Sequence, residues 1–170
     1  MKFVKIIYIF IIILIFNLNL AHSNDKVSFI NLDLLIQQTN IGKLILKDIE
    51  QINKKNIENL KIKESELKSI EDDIKKKKNI FSKDEFENEV IRLRQNIKKF
   101  KNYKNKLVSE IENKKNNDIK EFFTKVNPII QNYMDNNSID ILLERKNVFM
   151  SKNSSDITEK LIIEINKKFK

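Results

Sequence analysis

The sequence predicts a mostly helical α+β fold, in which a small β-containing body carries a long antiparallel helical hairpin. Three observations predict it. One glycine and one proline in 170 residues leave almost no turn punctuation, as in a long-helix protein. Apolar residues through the middle recur in steps of three and four among many charged ones. Short runs rich in β-forming residues stand only near the two ends.

The first element is a signal peptide, expected over residues 1–23. Met1, Lys2 and Lys5 make a basic start, Ile6 to Phe16 an unbroken apolar run, and Ala21-His22-Ser23 a small-x-small cleavage site. The apolar run is far shorter than the roughly 20 residues needed to span a bilayer, and Asn17 and Asn19 follow it at once. Cleavage after Ser23 removes two of the lysines behind the formal net charge of +9, and His22, the one histidine. With no cysteine in the chain, the remaining protein has neither thiol nor imidazole chemistry to offer. Carboxylate pairs such as Asp72-Asp73 or Glu64 with Glu66 fall on wet helix, where nothing shields them for acid–base work. No cofactor, metal ion or enzymatic activity is expected. The abundance of Lys, Asn and Ile also fits a biased genome, which discounts the raw lysine count.

Val27-Ser28-Phe29-Ile30-Asn31-Leu32 then reads as a strand, and Asn31 or Asp33 as the cap of a helical turn carrying Leu34, Leu35 and Ile36. Gly42 permits a close helix approach between copies of the chain or a turn out of the body.

From Ile41 to about Asn79 the chain forms the first arm. Leu46, Leu60, Leu67, Ile74 and Phe81 share one heptad position, with Asn53 as a polar register residue, and Ile49 and Ile70 take the neighbouring one. The second arm continues the seam through Phe86, Val90, Leu93, Ile97, Phe100, Lys104, Leu107 and Ile111. A stutter then shifts it to Lys115, Ile119, Phe122 and Val126. Ser82 with Glu85 makes a capping box, so a new helix starts there and the chain doubles back. Folding at that point sets Ile74 against Val90, Ile70 against Leu93, Leu67 against Ile97 and Ile52 against Ile111. Lys75, Lys76, Lys77 and Lys78 then lie opposite Glu85, Glu87 and Glu89. Pro128 kinks the returning helix or begins a new segment after Asn127.

Asn136-Asn137-Ser138 is a turn. Ile139-Asp140-Ile141-Leu142-Leu143 is a second strand, Asn147-Val148-Phe149-Met150 a third, and Ser154-Ser155-Asp156 caps a last helix with Ile157, Leu161, Ile162, Ile165 and Phe169 on one face. The organisation is therefore a discontinuous body of residues 24–45 and 125–170 and a hairpin of residues 46–124 with its tip near 79–84. A body of roughly 70 residues without disulfides is marginal on burial alone, which favours sharing a sheet or core between copies.

In order, these segments resemble the Skp/OmpH family of periplasmic chaperones. The resemblance rests on the leading signal, Val27 to Asp33, the Ile41-Gly42-Lys43 step, the charged hairpin, Ser138 to Leu143, and Ser155-Asp156-Ile157-Thr158 opening the last helix. Asn136-Asn137 stands where relatives often carry glycine. The resemblance implies a periplasmic homotrimer, joined through a β-rich core, whose hairpins enclose a cavity that holds unfolded outer-membrane proteins without ATP. Val27, Phe29, Ile30, Ile139, Ile141, Leu143, Val148 and Phe149 would build the oligomerisation body.

Lys75, Lys76, Lys77, Lys78, Phe81, Lys98, Lys99 and Lys101 are the candidate contacts to clients or anionic surfaces, with Lys104 and Lys106 adding charge. Each lysine alone also fits a solvated helix face paired across the hairpin. Ile57, Ile62, Ile80, Phe81 and Tyr103 either face the cavity or are absorbed by a loose seam. Some relatives bind lipopolysaccharide through basic arm residues. That pattern has no residue-by-residue match here, so an anionic lipid or lipopolysaccharide surface is a partner only of the arms' summed charge. A structural or adaptor protein docking on a folded envelope assembly is the alternative function. Nucleic acid is not expected as a partner, because no reading motif accompanies the charge and export removes the chain from it.

Overall fold

The computed structural model describes residues 25–170; the expected signal segment lies outside them. Strand β1 (Val27–Ile30) leads into helix α1 (Leu32–Gln38) and then the first long helix, α2 (Asn40–Lys77). A short turn connects α2 to α3 (Lys83–Asn136), and β2 (Ile141–Glu144), two 3-10 turns and α4 (Thr158–Lys168) complete the chain. At 1.5 Å per residue α2 is about 57 Å long, and α3 outruns it by several turns that run on into the body.

The reversal falls where the sequence places it. Ser82 Oγ accepts from the Glu85 backbone N–H, and the Ser82 backbone N–H donates back to the Glu85 carboxylate at 2.9 Å. The Ser82 hydroxyl, donating to the same carboxylate at 2.8 Å, and then the Ser82 backbone N–H hold the Glu85 carboxyl below its ordinary value. The capping bonds satisfy the first orphan amides of α3, and this starts the return helix.

At the opposite end, one threonine makes a corner. Thr39 Oγ1 donates to Leu35 O at 2.7 Å and accepts from Gly42 N at 3.3 Å, closing α1 and opening α2. A Cβ on Gly42 would lie 1.9 Å from Ile36 O, so only glycine permits this approach. The glycine thus serves packing within the chain, at the turn out of the body.

β1 and β2 pair in parallel, Val27 with Ile141 through Ile30 with Glu144. Parallel pairing needs a long crossover, and the hairpin supplies it. On its other side β1 bridges Asp156, with Ile157 N donating to Phe29 O at 3.1 Å. Beneath the sheet lies the core: Ile30, Leu35, Phe122, Val126, Ile130, Ile139, Ile157, Leu161, Ile162 and Ile165. Leu35, Val126, Leu161 and Ile165 are 0 % exposed. The base of α3 therefore belongs to the body as much as to the arm.

Several expectations need correction. Asn147 to Met150 is not a strand; a 3-10 turn ends at Asn147, Val148 N bonds back to Arg145 O at 3.0 Å, and the segment joins no strand among the described residues. β2 begins at Ile141, since Ile139 closes the end of α3 instead, its N–H bonded to Met134 O at 3.0 Å. Pro128 starts no new segment: α3 runs through it, forgoing one backbone bond. The position before α4 is held by Ile157, which has no cap of its own, because Ser154 and Ser155 are taken up in a 3-10 turn. The Asp156 carboxylate caps from one residue earlier, accepting from Thr158 N at 3.0 Å.

The seam departs from the heptad reading as well. Leu46, Asn53, Lys104 and Lys115 are exposed; half-buried Ile45, Asn56, Tyr103 and Lys114 replace them. At Leu46, Lys104 and Lys115 the preceding residue faces the partner arm instead, and at Asn53 the residue three places on does. The aromatic ring of Tyr103 is a better seam residue than the ammonium of Lys104.

Candidate functional site

Two surfaces, one on the body and one on the arms, carry the residues that composition and pattern single out. On the body, the alternation along the strands sends Ser28, Ile30 and Leu142 toward the core and Val27, Phe29, Ile141 and Leu143 to the opposite face. Val27, Ile141 and Leu143 are exposed there. Phe29 is buried, with the Arg145 guanidinium 5.5 Å above its ring. Arg145 is held in turn by Asp156, 2.7 Å away.

Burial would raise the Asp156 pKa, but hydrogen bonds from the Thr158 hydroxyl and backbone, and from Arg145, outweigh it and hold the carboxyl below its usual range. Beside this face, Val148 is half-buried and Phe149 stands 101 % exposed with Met150 next to it. Of the eight residues expected in an oligomerisation body, Ile30 and Ile139 lie in the internal core and Phe29 beneath Arg145. Val27, Ile141, Leu143 and Phe149 remain outside as an apolar surface.

The arms meet along a narrow line. Ile52 and Ile111 border one groove with Ile49 and Asn56, as the fold-back at Ser82 requires. Lys114 Nζ bridges Asp48 on the facing arm at 2.8 Å and Asp118 on its own at 2.9 Å, which raises the lysine's pKa. Full burial along the arms proper is confined to Ile74 and Leu107, at 7 % and 8 % exposed.

The lysines expected to face glutamates across the tip do not do so. Lys75 pairs with Glu71 one turn back, Glu89 with Arg92, and Glu85 is committed to the Ser82 cap. Local pairs three or four residues apart form on one helix without any constraint between arms, so they win. Lys76, Lys77, Lys78, Lys98, Lys99 and Lys101 are exposed, and Phe81 is half-buried at the tip.

Ile57, Ile62 and Ile80 are exposed, whereas Tyr103 is absorbed in the seam. Leu44, Ile91, Ile97 and Val108 are exposed too, and the sequence reading missed or misplaced them. Ile91 and Val108 each follow a seam residue directly, Val90 and Leu107, and that spacing was the available signal. Among the described residues no cluster of His, Cys, Asp or Glu is arranged to hold a metal ion, and no helix is long and apolar enough to cross a membrane.

Comparison with known proteins agrees with this architecture. The family model for outer membrane protein (OmpH-like) matches residues 26–165. A search of curated proteins finds no match. Among solved structures, the fold is similar to a crystal structure from Caulobacter crescentus CB15 described as an OmpH-like outer membrane chaperone. The TM-score is 0.76 at 16% sequence identity, with 86% of each chain covered. With a hairpin rooted in a small parallel sheet and a family match across nearly all the described residues, the chain belongs to the OmpH-like outer membrane protein family.

Proposed function

We propose that this protein is an ATP-independent holdase chaperone of the periplasm, exported by a cleaved signal peptide. It binds unfolded outer-membrane β-barrel proteins between the arms of a homotrimer and prevents their aggregation in transit. The observation that carries the reading is the pairing of two kinds of surface on one chain. The body presents an apolar sheet face and an unpaired β-forming segment, and the arms present scattered apolar side chains among lysines.

The body surface supports self-association. Val27, Ile141 and Leu143 make an apolar face beside an open strand edge, and Val148-Phe149-Met150 has strand composition but no strand partner among the described residues. A second and third copy would cover that face, and the segment would pair as a strand across the junction. Residues 24–45 and 125–170 act as the assembly body, and residues 46–124 as the arms.

The arms support weak, multipoint capture. Ile57, Ile62, Ile91, Ile97 and Val108 are isolated apolar contacts, none large enough to hold a client alone. Exposed lysines at the tip and along α3 draw in acidic unfolded chain and anionic lipid or lipopolysaccharide surfaces through their summed field. Release needs no energy source, because no single contact is strong. The adaptor alternative gains no observation of its own from the body or the arms.

The test is aggregation of an unfolded β-barrel protein followed by light scattering, with the mass of the assembled chaperone measured in parallel. Suppression near one trimer per client is expected. A folded trimer that leaves aggregation unchanged would refute the function, and a stable monomer would refute the assembly.

A further inference from the structure

Midway along the arms the seam opens. Ile74 toward the tip and Leu107 toward the base are buried, but between them Ile70 is exposed and Ile97 is 47 % exposed. The opening is a cleft of about 370 Å³ walled by Leu67 and Ile70 of α2 and Phe100 and Tyr103 of α3. A cavity of roughly 150 Å³ already accommodates a benzene-sized group, so an aromatic side chain fits with space for its backbone.

The rim is charged in one sense. Lys63 borders the cleft on α2, its Nζ 5.4 Å from the centroid of the Tyr103 ring, and Lys99 borders it on α3, with Lys98 and Lys101 nearby. Glu66 is the one carboxylate among the lining residues. Lys63 and Lys99 are exposed, and neither is held in an ion pair among the described residues. An apolar floor between two ammonium groups outside any ion pair is complementary to a ring with carboxylates beside it in sequence.

We propose that this cleft is a recognition slot for an aromatic residue flanked by Asp or Glu in an unfolded client segment. The proposal rests on the holdase reading and assigns it a defined point of contact. The walls take the ring by apolar contact and the rim lysines take the flanking carboxylates. A basic flank is rejected by the same lysines. The arms are then selective at this point, rather than uniformly adhesive along their length.

The test uses the protein beginning at Asn24 and carrying Tyr133→Phe, which leaves Tyr103 as its one tyrosine in a protein without tryptophan. Its emission is followed while three unstructured peptides are added. They differ only at the centre, which reads Glu-Phe-Glu, Lys-Phe-Lys or Glu-Ala-Glu. The Glu-Phe-Glu peptide is expected to perturb Tyr103 and to bind about tenfold tighter than either of the others, a difference of about 1.4 kcal/mol. Lys63→Glu with Lys99→Glu, both on the wet rim, should reverse the preference between the Glu-flanked and Lys-flanked peptides while leaving helical circular dichroism unchanged.

Equal affinities, or an unresponsive Tyr103, in a protein that still suppresses β-barrel aggregation would overturn the slot and leave the holdase reading standing. Discrimination among peptides by a chain that leaves aggregation unchanged would keep the slot and refute the holdase reading. Failure of both measurements would remove both.

Discussion

The body and the arms are built from one chain by different physics. In the body, four apolar side chains are wholly removed from water and the polar groups between them are paired, as Thr39 shows at its corner. In the arms the seam is narrow and mostly half-buried, and ion pairs are mostly local to one helix, as with Lys54–Glu50 and Lys75–Glu71. Burial at about 25 cal/mol per Å² of apolar surface therefore stabilises the body far more than the hairpin. The arms have helical propensity and a thin seam, and they leave side chains over for binding. A stable anchor and an adaptable surface are obtained by varying burial along two continuous helices.

The largest expected effect is a mutation that opens the body. Phe122 is 1 % exposed where α3 enters the core, and Phe122→Ala should cost about 3–5 kcal/mol by urea denaturation. Phe100→Ala, in the half-buried seam, should cost about 1 kcal/mol. Equal losses would break the contrast between the regions. Gly42→Ala comes next. Its new methyl meets the Ile36 carbonyl, so the α1–α2 corner must shift, at about 1–3 kcal/mol in the same assay.

The body should also set the acid limit. The Asp156 pKa is depressed below 3.8 in the folded chain, so its contribution is complete above the unfolded value and lost as pH falls through the folded one. Asp156→Asn should cost about 1 kcal/mol at neutral pH and flatten the loss of stability below about pH 4. An unchanged acid limb would assign that limb to other carboxylates.

The smallest effect is a gain. Ser138 holds φ 51 just beyond α3, where Ile139 N bonds to Met134 O and Ser138 N to Asp135 O. This termination favours glycine. Ser138→Gly should stabilise by about 0.5–1 kcal/mol, seen as a small rise in melting temperature.

The parts legible in the sequence were those governed by local rules. Ser82 and Glu85 marked the reversal because a capping box needs only two residues at fixed spacing, and the last helix showed its buried face through Leu161, Ile162 and Ile165. The seam drifted by a residue at Leu46, Lys104 and Lys115 because heptad counting assumes a constant helix phase, and a contact between arms can rotate it. The segment at Val148 to Met150 has strand composition, but a strand needs a neighbour and none lies among the described residues. The cleft between Leu67, Ile70, Phe100 and Tyr103 was invisible because its residues read as ordinary seam. It exists through a local failure to close, which spacing does not encode. The parallel sheet was equally hidden, since register between Val27 and Ile141 depends on how the body packs.

The division of labour can be tested in one measurement: hydrogen exchange across the chain, alone and with an unfolded β-barrel protein bound. The amides around Val126, Leu161 and Ile165 should exchange slowest in both states, and the bound client should slow exchange along α2 and α3 around Leu67 and Phe100. A client that protects the sheet face of the body and leaves the arms as fast as before would contradict the account.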